Sequence, residues 1–223
     1  QRASGDAGAL TNRLVLTKDS PTGDVAFGVD NTFASRAVSE DVFEAYAADL
    51  PEGAEEHVLE SAGDHLTPVD TAHVCLNVDT RWFARHDQEP PRGFEDLTRP
   101  EHRGQLVVPG ASTSSPGFAF LLFTIATYGE DGWQDYWQRL VDNGARITSG
   151  WTEAYEGDFT ATGDGDRPVV LSYNTSPPFT IPEGGDRPTT SALLDTCYRQ
   201  VEYAGVLDDA DDPEGARQVV AWL

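Results

Sequence analysis

Lysine is almost missing from this chain. Lys18 is the only one among 15 basic residues, set against 38 acidic ones, for a formal net charge of −23 over 223 residues. Such a surface repels phosphate backbones and anionic bilayers, so nucleic-acid binding is excluded first. Methionine is absent, and so is any long apolar run. The longest, Gly117 to Tyr128, is too short and too interrupted to span a bilayer. The two cysteines, Cys75 and Cys197, form no Cys-x-x-Cys pair, which argues against zinc and iron–sulfur centres. The five histidines (His57, His65, His73, His86, His102) show no metal-ligand spacing. There is no P-loop, no G-x-G-x-x-G and no G-x-S-x-G elbow, because Gly110-Ala111-Ser112-Thr113-Ser114 has Ser where the second Gly belongs. No catalytic residue, metal or cofactor is expected.

What remains is a globular composition. A hydrophobic fraction of 39% and an aromatic fraction of 10% rule out a wholly disordered chain. The length allows one large or two small domains. Short carboxylates are spread through the whole sequence rather than gathered in a tail. Together with the lysine shortage they point to a halophilic, archaeal protein. At molar salt the Debye length is only about 3 Å, so self-repulsion is largely screened. The chain opens at Gln1 without a signal-like segment and closes inside a helical pattern, where Asp211-Asp212-Pro213-Glu214 is a good N-cap with Pro in the first turn. Processing or truncation at both ends is the expectation. In an oxidising compartment Cys75 and Cys197 could be bridged, and in a reducing one both would be buried thiols. Both readings stay open at this point.

Short apolar segments alternate with helical spacing, which predicts an open α/β sheet. Ala9 to Leu16 reads as a helix, Asp24 to Val29 as a strand, and Thr32 to Leu50 as a helix. Leu66 to Val78 is a long extended segment, followed by a polar, Pro-rich stretch from Arg85 to Arg103. Gln105 to Val108, Val169 to Tyr173 and Val201 to Val206 read as strands, Phe118 to Tyr128 and Trp133 to Asn143 as helices.

The strongest local signal is the loop Ser112-Thr113-Ser114-Ser115-Pro116-Gly117 between a strand and an apolar helix. Hydroxyls, free N–H groups and the positive end of a helix dipole together make an anion site. An ordinary Ser-rich cap is the bland alternative. Asp30-Asn31 follows a strand's carboxyl end, where open α/β sheets collect ligands, although Asp30 could simply cap the next helix. Trp151, Tyr173 and Phe179 lie beside Gly and Pro. Aromatics are most often core, but loop aromatics suit stacking on a flat, charged ring.

At these residues the sequence resembles the thiamine-binding periplasmic proteins of ABC importers. The resemblance is carried by Asn12-Arg13-Leu14 through Asp24-Val25-Ala26-Phe27-Gly28-Val29-Asp30-Asn31, by Ser112 to Gly117, by Thr148-Ser149-Gly150-Trp151-Thr152-Glu153-Ala154-Tyr155, by Leu171-Ser172-Tyr173-Asn174-Thr175-Ser176-Pro177, and by Gln200-Val201-Glu202. It implies a type II periplasmic-binding-protein-like α/β fold, two lobes joined by crossover strands and closing over a ligand, with the first lobe incomplete. The lobes would be residues 1–74 with 200–223, and 75–199. Cys75 and Cys197 would then come near the hinge, as a possible disulfide.

The ligand implied is thiamine, thiamine monophosphate or thiamine diphosphate, captured outside the cell by a lipid-anchored protein and passed to a membrane permease. Asp30 and Asn31 would meet the aminopyrimidine or thiazolium side. Ser112, Thr113, Ser114, Ser115 and Gly117 would hold the phosphate, and Trp151, Tyr173 and Phe179 would line the ring site. Three departures stand out: Phe179 where the family has Tyr, Ser112 where it has Arg, and Asp70-Thr71-Ala72-His73 in place of an aromatic-rich segment. The same fold binding ferric iron or a small anion, and a thiamine-pyrimidine synthase-like enzyme, are the alternatives.

Overall fold

Strand and helix alternate along the chain, as the hydrophobic pattern predicts. The computed structural model describes residues 6–223. Its strands are β1 (Val25–Asp30), β2 (Thr67–Asp79), β3 (Leu106–Pro109), β4 (Arg146–Thr148), β5 (Val169–Tyr173), β6 (Thr190–Ala192) and β7 (Tyr198–Val206). Its helices are α1 (Ala7–Leu16), α2 (Ala34–Ser39), α3 (Thr80–Arg85), α4 (Ser115–Tyr128), α5 (Trp133–Asp142) and α6 (Pro213–Trp222). Two compact units form: Gln1–Thr71 with Gln200–Leu223, and Ala72–Arg199. Among the described residues no helix is long and apolar enough to cross a membrane.

In the first unit β1 pairs antiparallel with β7. Alternation along β7 feeds two apolar clusters. Val201 and Tyr203 join Leu14, Val29, Ala37 and Phe43, while Ala204 and Val206 join Ala216 and Val220 of α6. Helix α6 starts as its sequence predicts, with the Asp212 carboxylate accepting from Gly215 N–H at 3.0 Å and Pro in the first turn.

The helix read over residues 32–50 is a correction. Only α2 forms, because Asp41 turns into the left-handed region (φ 54°) and the chain then pairs with the end of β7. Phe43 bridges Leu207, and Glu44 N–H donates to Val206 C=O at 3.0 Å. That pairing also buries Phe43, which is 3% exposed, and it outweighs the local helical preference.

In the second unit β3 runs parallel to both β4 and β5, while β5 and β6 pair antiparallel with β2. Val74, Leu76 and Val78 of β2 and Leu106 and Val108 of β3, with Val169 and Leu171 of β5, pack against Ala119 and Phe120 of α4 and Tyr136 and Leu140 of α5. The buried Tyr136 hydroxyl donates to Phe94 C=O at 2.9 Å. Removing a side chain such as Phe120 from this core would cost about 3–5 kcal/mol. On the other face Val107 and Val170 meet Ala154, Tyr155 and Phe159. Cys75 of β2 and Cys197, just ahead of β7, form a disulfide with Cα atoms 4.3 Å apart.

Candidate functional site

Parallel pairing decides where the loops of the second unit gather. Because β3, β4 and β5 point the same way, their carboxyl ends share one edge, the edge where open α/β sheets bind ligands. The loops that leave it are 110–114, 149–151 and 174–176. Thr113 Oγ1 donates to Ser149 C=O at 2.8 Å, and Trp151 Nε1 donates to Ser172 Oγ at 3.0 Å, so each loop is tied to the next.

The first loop ends at Ser114, which occupies the N-cap of α4 in extended conformation but makes no side-chain cap bond. Ser114 is 0% exposed and Ser115 3%, yet neither hydroxyl has a hydrogen-bond partner. Buried hydroxyls without partners are rare, because each one costs free energy. They lie at the start of a 14-residue helix whose first N–H groups have no intrahelical acceptor. Hydroxyl donors, free amides and the positive dipole end make a cradle for an oxyanion. Gly117 is required by close approach: a Cβ there would overlap the Pro109 carbonyl and the Gly110 backbone. Ser112 lies exposed at the loop's outer side, and Thr113 is half-buried.

Beside this cradle stands an aromatic wall. Trp151 stacks on Tyr155 (centroids 4.8 Å apart, 14° between planes) and tilts toward Tyr173 at 6.4 Å. Tyr155 continues to Phe159 at 5.7 Å. Residues Glu153–Asp158 wind as a π-helix, a form often found at functional sites. Trp151 is half-buried and packs against the cluster of Val107, Ala154, Tyr155, Phe159 and Val170. Burial raises the Tyr155 pKa. Phe179, on the turn Pro177–Thr180, is 86% exposed, and the stack forms without it.

In the first unit Asp30 is 0% exposed. Its Oδ1 accepts from Thr32 N–H (3.0 Å), Thr32 Oγ1 (2.6 Å) and Phe33 N–H (3.2 Å), so it does cap the turn that leads to α2. Its Oδ2 is buried without a partner. Asn31 is committed to β7: Val201 N–H donates to its side-chain oxygen at 3.0 Å, and its own N–H donates to Val201 C=O at 3.0 Å. Among the described residues no group of His, Cys, Asp and Glu is arranged to hold a metal ion.

Sequence reasoning gave no roles to Ser172, Ser176, Tyr155, Gln200 or Glu202. The first two are linked Oγ to Oγ at 2.8 Å and carry Trp151. Gln200 and Glu202 are polar residues two apart on an apolar strand, a pattern that could have marked them. Gln200 Nε2 donates to Glu202 Oε1 at 3.1 Å, and Gln200 Oε1 is buried without a partner. Burial, then the charges of Asp70 and Asp30, push the Glu202 carboxyl up to about 7.

Residues 20–172 match the family model described as bacterial extracellular solute-binding protein. The thiamine-binding periplasmic protein of Brucella abortus is 30% identical over 99% of this chain and 63% of its own length. A solved periplasmic thiamin binding protein superposes with a TM-score of 0.78 at 26% identity, over 98% of this chain and 65% of the other. The periplasmic binding protein AfuA from Actinobacillus pleuropneumoniae, solved with fructose-6-phosphate bound, gives 0.79 at 18% identity, over 98% and 68%. The chain thus spans less than two thirds of the length of the two thiamine-binding relatives. On the family match and the shared architecture, the chain belongs to the bacterial extracellular solute-binding proteins and has their type II periplasmic-binding fold.

Proposed function

We propose that this chain is the ligand-capturing part of an ABC importer, working outside the cytoplasmic membrane on a lipid anchor, and that its ligand is thiamine or one of its phosphates. The observation that carries this reading is the shared edge of β3, β4 and β5. There two buried, unpartnered serine hydroxyls at the start of α4 lie in loops hydrogen-bonded to a Trp–Tyr wall. A flat cationic ring with a phosphate tail matches both halves of that edge. The relatives named for thiamine binding support the same ligand.

In this reading Ser114, Ser115 and the amides near Gly117 hold the phosphate, with Ser112 and Thr113 at its rim. Trp151 and Tyr173 stack on the ring, each such cation–π contact contributing about 0.5–2 kcal/mol. Asp30 accepts from the amino group, Asn31 fixes Asp30's strand to β7, and Phe179 adds an outer apolar contact. No bond is made or broken. Cys75 and Cys197 are joined to each other, so neither supplies a thiolate for a synthase-like reaction. A lysine-poor acidic surface fits function in concentrated salt.

The test is calorimetric titration of thiamine, its monophosphate, its diphosphate and inorganic phosphate in molar potassium chloride. The phosphate esters should bind at least tenfold more tightly than thiamine, and Trp151→Ala should weaken all three thiamine compounds. If the folded chain takes up none of them, the ligand assignment is wrong.

A further inference from the structure

The first unit carries a cluster of oxygen acceptors that its own donors satisfy only in part. Its geometry comes from a single residue. Gly28 sits in β1 at φ 101°, and the register slips there: Phe27 faces Ala204, but Val29 faces Tyr203 and Asp30 faces Glu202. Had Gly28 paired in register with Tyr203 instead of bulging, Asp30 would fall opposite Val201. A bulge re-aims a strand in this way, and directly opposed residues project from the same face. Asp30 and Glu202 are therefore set side by side, with Gln200 two residues along β7 on the same face.

Like charges directly opposed on neighbouring strands destabilise a sheet. The cluster keeps the arrangement and adds to it. Asp30 Oδ2 is fully buried and unpartnered. The Gln200 amide, 2% exposed, touches the Glu202 carboxylate through its nitrogen and leaves its oxygen unpartnered. Among the described residues the charged groups bearing on Glu202 are Asp70 of β2 and Asp30 of β1, both acidic. Each unfilled position is an acceptor, so the missing partner is a donor carrying positive charge.

We infer that Glu202, with Asp30 and Gln200, forms a receptor for a cationic group bearing N–H donors, such as an aminopyrimidinium or guanidinium, and that Glu202 gives up a proton when the group binds. The inference deepens the proposed function by adding Glu202 as a binding residue and a proton as a coupled product. With its carboxyl raised to about 7, chiefly by burial, a fraction of the empty sites holds that proton at neutral pH. A cation beside the carboxylate lowers its pKa and expels the proton.

The experiment uses the 223-residue chain labelled with 13C at the glutamate carboxyls. One resonance should titrate near pH 7 and vanish in Glu202→Gln. It should shift when 4-aminopyrimidine, guanidinium or thiamine is added. Calorimetry of thiamine at pH 7 in buffers of differing ionisation enthalpy should show net proton release, and none from Glu202→Gln, whose thiamine affinity should fall at least tenfold. Asp70→Asn, which removes a neighbouring charge without touching the acceptors, should lower the titration midpoint and keep binding. A response to guanidinium and 4-aminopyrimidine without one to thiamine removes the thiamine assignment and leaves this receptor standing. A resonance that ignores all three cations, or that answers equally to potassium alone, overturns it.

Discussion

Replacing Ser114 by alanine should strengthen the empty protein and weaken its hold on a phosphate, two effects of opposite sign from one oxygen atom. The side chain is 0% exposed, and its hydroxyl has no partner. A buried polar group left unsatisfied costs about 1–3 kcal/mol. Alanine removes that penalty and leaves a void of roughly 12 Å³, which at about 24 cal/mol per Å³ costs about 0.3 kcal/mol. The balance is a gain of about 0.7–2.7 kcal/mol, or a rise in melting temperature of about 1–11 °C for a chain of this size. A hydrogen bond to a charged phosphate is worth about 1.5–3 kcal/mol, so affinity for thiamine monophosphate should fall about 10- to 150-fold. Thiamine itself should bind nearly as before. Differential scanning calorimetry and titration on the same preparation read both effects. An ordinary helix cap predicts the reverse: a loss of about 1 kcal/mol and no change in affinity. That outcome would refute the cradle.

Three further perturbations test other parts of the structure. Gly28→Ala forces an L-residue to φ 101° and should cost about 1–3 kcal/mol in thermal melts. If the bulge were incidental, thiamine binding would survive it, whereas the register argument expects a loss. Reducing the Cys75–Cys197 bridge, which spans 122 residues, should lower stability by about 3–5 kcal/mol, and reductant should do nothing further to the double serine variant. The raised Glu202 carboxyl means that between pH 4.5 and about 7 the folded chain holds a proton that the unfolded chain has lost. Its contribution to stability therefore falls as pH rises through that window. Glu95, Asp96 and Glu153, with lowered values, act in the opposite sense. The readout is accordingly the difference in melting temperature between wild type and Glu202→Gln, which should widen in the variant's favour from pH 5 to pH 8.

Much of the fold was legible because Gly, Pro and the hydrophobic period mark where elements stop. Helix α4 was readable from Pro116-Gly117 and the apolar run behind it, and β2, β5 and β7 from their continuous apolar stretches. The helix over residues 32–50 misled because its spacing fits a helix well, and only tertiary pairing with β7 breaks it at Asp41. The loops of the second unit could be picked out singly, but that Ser114, Trp151 and Tyr173 lie along one edge depends on the parallel order of β3, β4 and β5. Glu202 escaped notice for a related reason. In Gln200-Val201-Glu202-Tyr203 the alternation reads as a strand with its polar side to water, and the burial comes from other strands.

Within the two clusters, though not across the whole of either unit, the unpartnered atoms are of one kind each, which bears on what each cluster could bind. On β1 and β7 of the first unit they are acceptors, Asp30 Oδ2 and Gln200 Oε1, while at the start of α4 in the second they are hydroxyls. Strained or careless packing would leave orphans of mixed kind at each place. Carboxylate and amide oxygens cannot satisfy one another, and folded proteins tolerate few buried groups without partners. The cost is recovered only when something arrives with the opposite polarity: donors and positive charge for the first set, oxyanion oxygens for the second. A metal cation would also answer carboxylates, but among the described residues no group of His, Cys, Asp and Glu is arranged to hold one, which leaves a cation with N–H donors as the match for the first set. The first set calls for donors with positive charge and the second admits an oxyanion, so the two are tested apart, by Glu202→Gln and by Ser114→Ala.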